Sequence, residues 1–371
     1  MRRQPQWKGA KQMSNTRIRN LLGELRKAKA GGLLVTKLEN VEYLSGYTGS
    51  FAAALIGPGK PVLFTDSRYK VQAKAECPGF TIRMVKDGLC DDAIRLAGEL
   101  QISRLAFESD GMLVSEWKRL RKVAREAKVT LCPTQGLTQE LRNYKDDEEI
   151  SRLKAAAKLT DKAWAYILPM VKQGVREIDL ALELETFIRR NGGLLSFDCI
   201  VVSGKRSALP HGKPSEKKLA NSDFVTFDFG ARVGRYCADM TRTVVIGKAS
   251  AKHKEIYATV LEAQEAALRA LKPGAKCREI DRVARDIIRK AGYGKNFGHG
   301  LGHSLGILTH DGQRLSPRSV ERETLQANMV FTIEPGIYLE GWGGCRIEDD
   351  ALITDRGCEI ITKSPKSLLV V

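Results

Sequence analysis

At 371 residues, 43% apolar and 28% charged, the chain exceeds what one hydrophobic core usually organises and has the composition of a two-domain globular protein. No stretch approaches the ~20 consecutive apolar residues of a membrane span, so no membrane partner is expected. The net charge of +17 raises nucleic-acid binding, yet Lys and Arg are scattered over helical stretches such as 17–29 and 118–128 without aromatic interleaving or a recognisable module; the bland reading is solvated helix faces.

In chain order, Met1 to Lys8 is basic but precedes no apolar segment or cleavage site, so it reads as a loose tail, with Met13 an alternative start. Leu33–Val35, Pro61–Phe64, Thr81–Val85 and Arg104–Phe107 read as strands, and Ser67–Glu76, Asp91–Leu100 and Ser115–Ala127 carry helical spacing. Gly57-Pro58-Gly59 separates two apolar runs in the pattern of a hairpin. These elements predict an α/β domain over 1–142. The acidic run Asp146 to Glu149 precedes an apolar-periodic segment, where negative charge favours a helix N-terminus, and opens a second domain over 143–371. The eight cysteines are dispersed with no Cys-x-x-Cys pair, which predicts reduced thiols in a cytoplasmic protein.

An internal echo runs through the second domain. Lys172-Gln173-Gly174, Arg176 to Asp179 and Ile188 to Gly192 return as Lys272-Pro273-Gly274, Arg278 to Asp281 and Ile288 to Gly292. Each copy reads as a helix closed by glycine and followed by strand-like sequence. Two such halves facing each other would leave a cleft between them.

The chemistry-bearing residues lie around and after this echo. Four of the five histidines, His211, His299, His303 and His310, accompany Asp228, Asp239, Glu334 and Glu348, a donor set suited to divalent metals over a hydrolytic water. Strands Val225–Phe229 and Tyr236–Thr241 flank a glycine-bounded turn; closure around Val233–Gly234 would set Asp228 directly opposite Asp239, whereas a bulge would separate them. In Phe297 to Gly306 the glycines argue against a helix and for an extended backbone that points His299 and His303 the same way. His211 and His310 sit in turn-like surroundings that could aim them into a cleft. Met329–Gly336 and Gly344–Asp350 read as strands each presenting a glutamate, with Arg346, Glu348 and Asp350 sharing a face and Arg346 able to orient an acidic neighbour.

The motifs Asp-Phe-Gly with Asp-Met-Thr-Arg-Thr, Gly-His-Gly-x-Gly-His, Glu-Pro-Gly and Arg-Ile-Glu-Asp-Asp, with Thr65 to Tyr69 toward the N-terminus, resemble the pita-bread metallopeptidases, and in detail the Xaa-Pro peptidases (aminopeptidase P and prolidase). The resemblance covers essentially the whole chain. It implies a creatinase/prolidase-like α/β N-terminal domain and an α+β pita-bread catalytic domain with pseudo-twofold internal symmetry. It implies two divalent metal ions, manganese first with cobalt or zinc as alternatives, held by Asp228, Asp239, His303, Glu334 and Glu348. Asp239, His303 and Glu334 would serve one ion and Asp228 the other, with Asp239 and Glu348 shared. His211, His299 and His310 match substrate-side histidines, Arg346 a supporting arginine, and Glu334 a proton shuttle; Asp311 stands where many relatives carry glutamate. Hydrolysis of the Xaa-Pro bond at the N-terminus of proline-containing peptides by a homodimer follows as an expectation, with dipeptidase and aminopeptidase both open. The alternative from another class is a pita-bread module that binds peptide or RNA without catalysis.

Overall fold

The computed structural model describes residues 10–371, with side chains from residue 16 onward; the expected loose tail lies outside the described residues. The chain divides into two compact units, one ending at Arg142 and the other running Asn143–Val371. Among the described residues no helix is long and apolar enough to cross a membrane.

The first unit carries α1 (Ala10–Lys27), β1 (Gly32–Val35), α2 (Leu38–Ser45), β2 (Ala53–Ile56), β3 (Val62–Thr65), α3 (Lys70–Glu76), β4 (Thr81–Met84), α4 (Leu89–Glu99), β5 (Arg104–Glu108), α5 (Val114–Glu126) and β6 (Thr130–Thr134), and α6 (Leu137–Asn143) closes it. The strands form one mixed sheet in the order β4-β3-β2-β1-β5-β6. β2 and β3 pair antiparallel across the Gly57-Pro58-Gly59 turn, while β1, β5 and β6 run parallel. Every residue of β1, β2 and β3 is buried, which is why these strands read as unbroken apolar runs rather than alternating ones.

The second unit contains α7 (Asp147–Ile167), α8 (Glu177–Arg190), β7 (Leu194–Leu195), β8 (Ile200–Ser203), β9 (Phe224–Phe229), β10 (Ala231–Val233), β11 (Tyr236–Cys237) and β12 (Met240–Val245). It continues with α9 (Ala251–Ala270), α10 (Cys277–Lys290), β13 (Gly302–His303), β14 (Arg314–Leu315), β15 (Val330–Ile333), β16 (Gly336–Leu339), β17 (Gly343–Arg346), β18 (Asp349–Ile353), β19 (Cys358–Ile360) and β20 (Leu369–Val370). Asp146 caps α7 through a capping box, its side chain accepting from Glu149 N while Glu149 accepts from Asp146 N. Replacing Asp146 with Ala should lower stability by about 1 kcal/mol, read as a lower Tm; an unchanged Tm would show that the cap contributes nothing.

The repeat in the sequence is a repeat in space. Gly174 N donates to Leu219 O and Leu219 N to Val175 O, each at 2.8 Å; Gly274 N to Leu325 O and Leu325 N to Ala275 O reproduce both bonds at the same length. Leu180, Leu184 and Ile188 are buried on α8 as Ile280, Ala284 and Ile288 are on α10. Gly192 and Gly292, past the helix ends, are both left-handed, at φ 85 and 90. The two halves thus have the expected pseudo-twofold relation. Separate apolar clusters sit under each, one around Trp164, Leu184 and Phe227 and one around Ile256, Ile288 and Phe331.

Candidate metal centre

The first two carboxylates come from the β9–β12 arm. Thr241, not Asp239, stands opposite Asp228, and Met240 opposite Phe229. The same register continues to Val233 opposite Tyr236, so the two-residue turn is Gly234–Arg235, both left-handed at φ 55 and 76, as a type I′ hairpin turn requires. Closure around Val233–Gly234, expected from the sequence, is therefore off by one residue, which moves the partner of Asp228 by two, from Asp239 to Thr241. Side chains repeat every two residues along a strand, so this displacement keeps both carboxylates on one face, where a one-residue slip would have parted them. Asp239 itself lies between β11 and β12, its N–H donating to Asp350 Oδ2 at 3.0 Å.

Two strand readings need correction at the glutamates. Glu334 falls just after β15 and Glu348 in the break between β17 and β18, rather than inside continuous strands. At both points the backbone N–H turns to a different neighbour: Glu334 N donates to Leu301 O at 2.8 Å and Glu348 N to Thr241 O at 3.1 Å. Each acidic side chain thus sits where the chain changes pairing partner, free of the strict alternation that its strand would impose.

The glycine-rich segment is also less extended than its pattern suggests. Only Gly302–His303 forms a strand; upstream, Arg285 of α10 donates to Phe297 O and His299 O, and Asp281 accepts Leu301 N, drawing the backbone into a bend. Gly302 is needed for close approach, since a Cβ there would come within 1.9 Å of Thr332 O. His303 lands beside the acids as a result. Its Nε2 is 3.3 Å from Glu334 Oε1 and 3.8 Å from Asp239 Oδ2, while Nδ1 faces Ser304 O at 3.3 Å.

Asp228, Asp239, His303, Glu334, Glu348, His211, His299, His310 and Arg346 all line one cavity of about 410 Å³. One ligand atom each from Asp239, His303 and Glu348 lies within 4.8 Å of the others. Burial, then the neighbouring Glu348 and Asp228, pushes the Asp239 carboxyl far up; burial, then Glu334 and Asp228, does the same to Glu348. Burial raises Glu334 to about 7 against the pull of Arg346. His303 is held down to about 3, by burial first and His310 second, so it is neutral. With Nδ1–H given to Ser304 O, its Nε2 lone pair faces carboxylate oxygens, an arrangement of acceptor against acceptor. Asp228 Oδ1 and Asp239 Oδ1 are buried without a hydrogen-bond partner. Buried acceptors that converge with no donor between them fit a divalent cation.

Behind the acids lies a polar relay in which Arg346 orients an acidic neighbour as expected, while its middle member, Tyr338, was not legible in the sequence. Arg346 donates from Nη2 to Asp228 Oδ2, from Nε to Thr241 Oγ1 at 3.0 Å, and from Nη1 to Tyr338 Oη at 2.7 Å. Tyr338 in turn meets His299 Nε2 at 3.0 Å, and His299 Nδ1 faces Gly300 O at 2.8 Å. Both ring nitrogens of His299 are thereby engaged, and it reaches the acids through Tyr338 and Arg346. Thr241 Oγ1 also donates to Glu348 Oε2 at 2.6 Å. A faint signal for Tyr338 existed: it is two residues after Gly336, on the same face of β16. Tyr338→Phe should lower kcat/KM by roughly tenfold to a hundredfold with metal content unchanged; full activity would remove Tyr338 from the site. His310 packs edge-on against His303, ring centroids 4.1 Å apart, and is exposed together with His211 at the cavity mouth.

Residues 151–355 match the model of metallopeptidase family M24, and residues 17–144 that of the creatinase/prolidase N-terminal domain. The chain belongs to metallopeptidase family M24. It is accordingly a peptidase, with a creatinase-type N-terminal domain followed along the chain by the pita-bread catalytic fold. A Bacillus subtilis (strain 168) relative, the uncharacterized peptidase YqhT, is 42% identical over 97% of this chain and 100% of its own. Among solved structures, the Xaa-Pro dipeptidase from Bacillus anthracis superposes with a TM-score of 0.91 at 41% identity, covering 96% of this chain and 100% of that one. The X-Pro aminopeptidase from Thermotoga maritima MSB8 gives 0.84 at 40% identity, covering 92% and 98%.

Proposed function

We propose that this M24 peptidase hydrolyses the bond between an N-terminal residue and a following proline, using two divalent ions held by Asp228, Asp239, His303, Glu334 and Glu348. The observation that carries it is the convergence of Asp239, His303 and Glu348 donor atoms within 4.8 Å, in a cavity that Asp228 and Glu334 also line. Proline specificity draws its support from the Bacillus anthracis and Thermotoga maritima neighbours, whose names specify Xaa-Pro bonds. Phe197, Ile200 and Pro210 on the cavity wall offer an apolar surface against which a proline ring packs.

Divalent cations held by these residues would polarise the scissile carbonyl and acidify the attacking water. The protein's own groups do the rest. Glu334, which lines the cavity beside His303, takes the proton from the water and returns it to the leaving nitrogen. His211 and His310 at the mouth donate hydrogen bonds to the carbonyl oxygen as charge develops on it. Arg346 holds Asp228 in place, and Ser304 O fixes the His303 tautomer so that Nε2 remains the donor atom. Manganese is the first expectation, with cobalt or zinc also suited to this donor set; a cytoplasmic homodimer completes the reading. Metal analysis of the purified chain, with assays on Ala-Pro and on an otherwise equal peptide lacking proline, tests it: metal-dependent cleavage confined to the proline peptide is expected, and equal cleavage of both would refute the specificity.

A further inference from the structure

Next to the catalytic cavity lies a second one of about 610 Å³, and His299, Gly300, Arg314 and Ser316 line both, so the two are continuous. Its charge is opposite in sign to that of the acidic cluster. Arg285 is neutralised by Asp281, but Arg314 and Arg318 are exposed and have no carboxylate within ion-pair distance among the described residues. The one acidic lining residue, Glu323, accepts Val320 N at 3.1 Å. The wall is built rather than loose. Arg314 belongs to β14 and pairs with His303; Ser319 Oγ donates to Arg314 O at 2.5 Å and Arg318 N to Ser316 Oγ at 3.2 Å.

A peptide carries a cationic amine at one end and a carboxylate at the other. Coulomb attraction orients it with the amine toward the acidic cluster and its C-terminal part toward the arginines. We propose that the second cavity receives the residues beyond the scissile bond, so that the enzyme accepts peptides longer than two residues and favours an acidic side chain in the second or third position past the cut. An extended chain advances ~3.3 Å per residue, which carries those positions about 7 to 10 Å from the reacting carbonyl and into the arginine-lined space. The inference rests on the Xaa-Pro reading above.

The test uses the full manganese-loaded chain with Ala-Pro, Ala-Pro-Glu-Ala-amide and Ala-Pro-Lys-Ala-amide, the amides removing the terminal carboxylate. Both tetrapeptides should be cut, the Glu peptide with kcat/KM about fivefold above the Lys peptide, a preference that shrinks at high salt. Arg318→Glu should invert that order, with manganese content unchanged. Cleavage of Ala-Pro alone, equal rates on the two tetrapeptides, or an order unaffected by Arg318→Glu would each overturn the inference and leave the Xaa-Pro reading standing. Failure to cleave any of the three would overturn both.

Discussion

Asp239→Asn is expected to abolish metal retention and cut kcat/KM at least a thousandfold, while leaving the metal-free protein as stable as the unchanged chain or more so. The loss of activity follows from removing a proposed ligand at the point where Asp239, His303 and Glu348 converge; each ~1.4 kcal/mol of lost transition-state stabilisation is tenfold in rate, and metal-ion catalysis supplies several. The stability sign is the less obvious half. Asp239 is buried, its carboxyl driven up by burial and by Glu348 and Asp228, and its Oδ1 has no donor. An amide removes the repulsion and offers two N–H groups to neighbouring acceptors. The variant should also lose the rise in Tm that added metal confers, about 2.7 kcal/mol at a hundredfold excess over Kd. Thermal melts with and without manganese, beside metal content and kcat/KM, read all three effects. A metal-free variant that melts far below the parent would show that Asp239 is held for structure instead.

The second large effect is on pH. Glu334 has its carboxyl raised from 4.5 to about 7, and burial and neighbouring acids also push Asp239 and Glu348 well above the usual carboxylate range. A carboxyl whose folded pKa is raised contributes stability that is complete below the unfolded value and is lost as pH climbs through the folded one. His303 and His299 act in the other sense: burial depresses them to about 3 and about 4 from 6.5, so their contribution is present above 6.5 and lost as pH falls. Below 6.5 the two sets oppose each other. Above that the carboxyls dominate, and as pH rises through the Glu334 value near 7 the metal-free protein should lose about 1.4 kcal/mol per pH unit for each proton that the folded state retains. Metal holds the acids ionised, so the loaded protein should show no such decline, and binding should tighten with pH as protons are released. Melts of both forms across this window check it; parallel curves for the two would contradict it.

How far the sequence carried this picture depended on the range of the interaction involved. Local signals were legible: the apolar runs of β1 to β3, the acidic start of α7 with its Asp146–Glu149 capping box, and the repeat that became α8 and α10. The acids and histidines could be named because imidazoles and carboxylates are costly to cluster without a reason. The hairpin register was not legible, because it turned on Arg235 adopting φ 76, a conformation that a non-glycine residue rarely takes. Nor were the strand breaks at Glu334 and Glu348, which depend on backbone partners far away in the chain, Leu301 and Thr241. Tyr338 escaped for the same reason: Arg346 and His299 stood out beside the acids, but the tyrosine that joins them is an ordinary residue until the fold brings its partners.

Titration of the metal-free chain with manganese by calorimetry, in two buffers of different ionisation enthalpy, bears most directly on the claim that this acidic crevice is built for cations. Saturable binding with net proton release, lost in Asp239→Asn, is the predicted result. Folded protein that takes up no metal, or that binds it equally well after the substitution, would contradict the assignment.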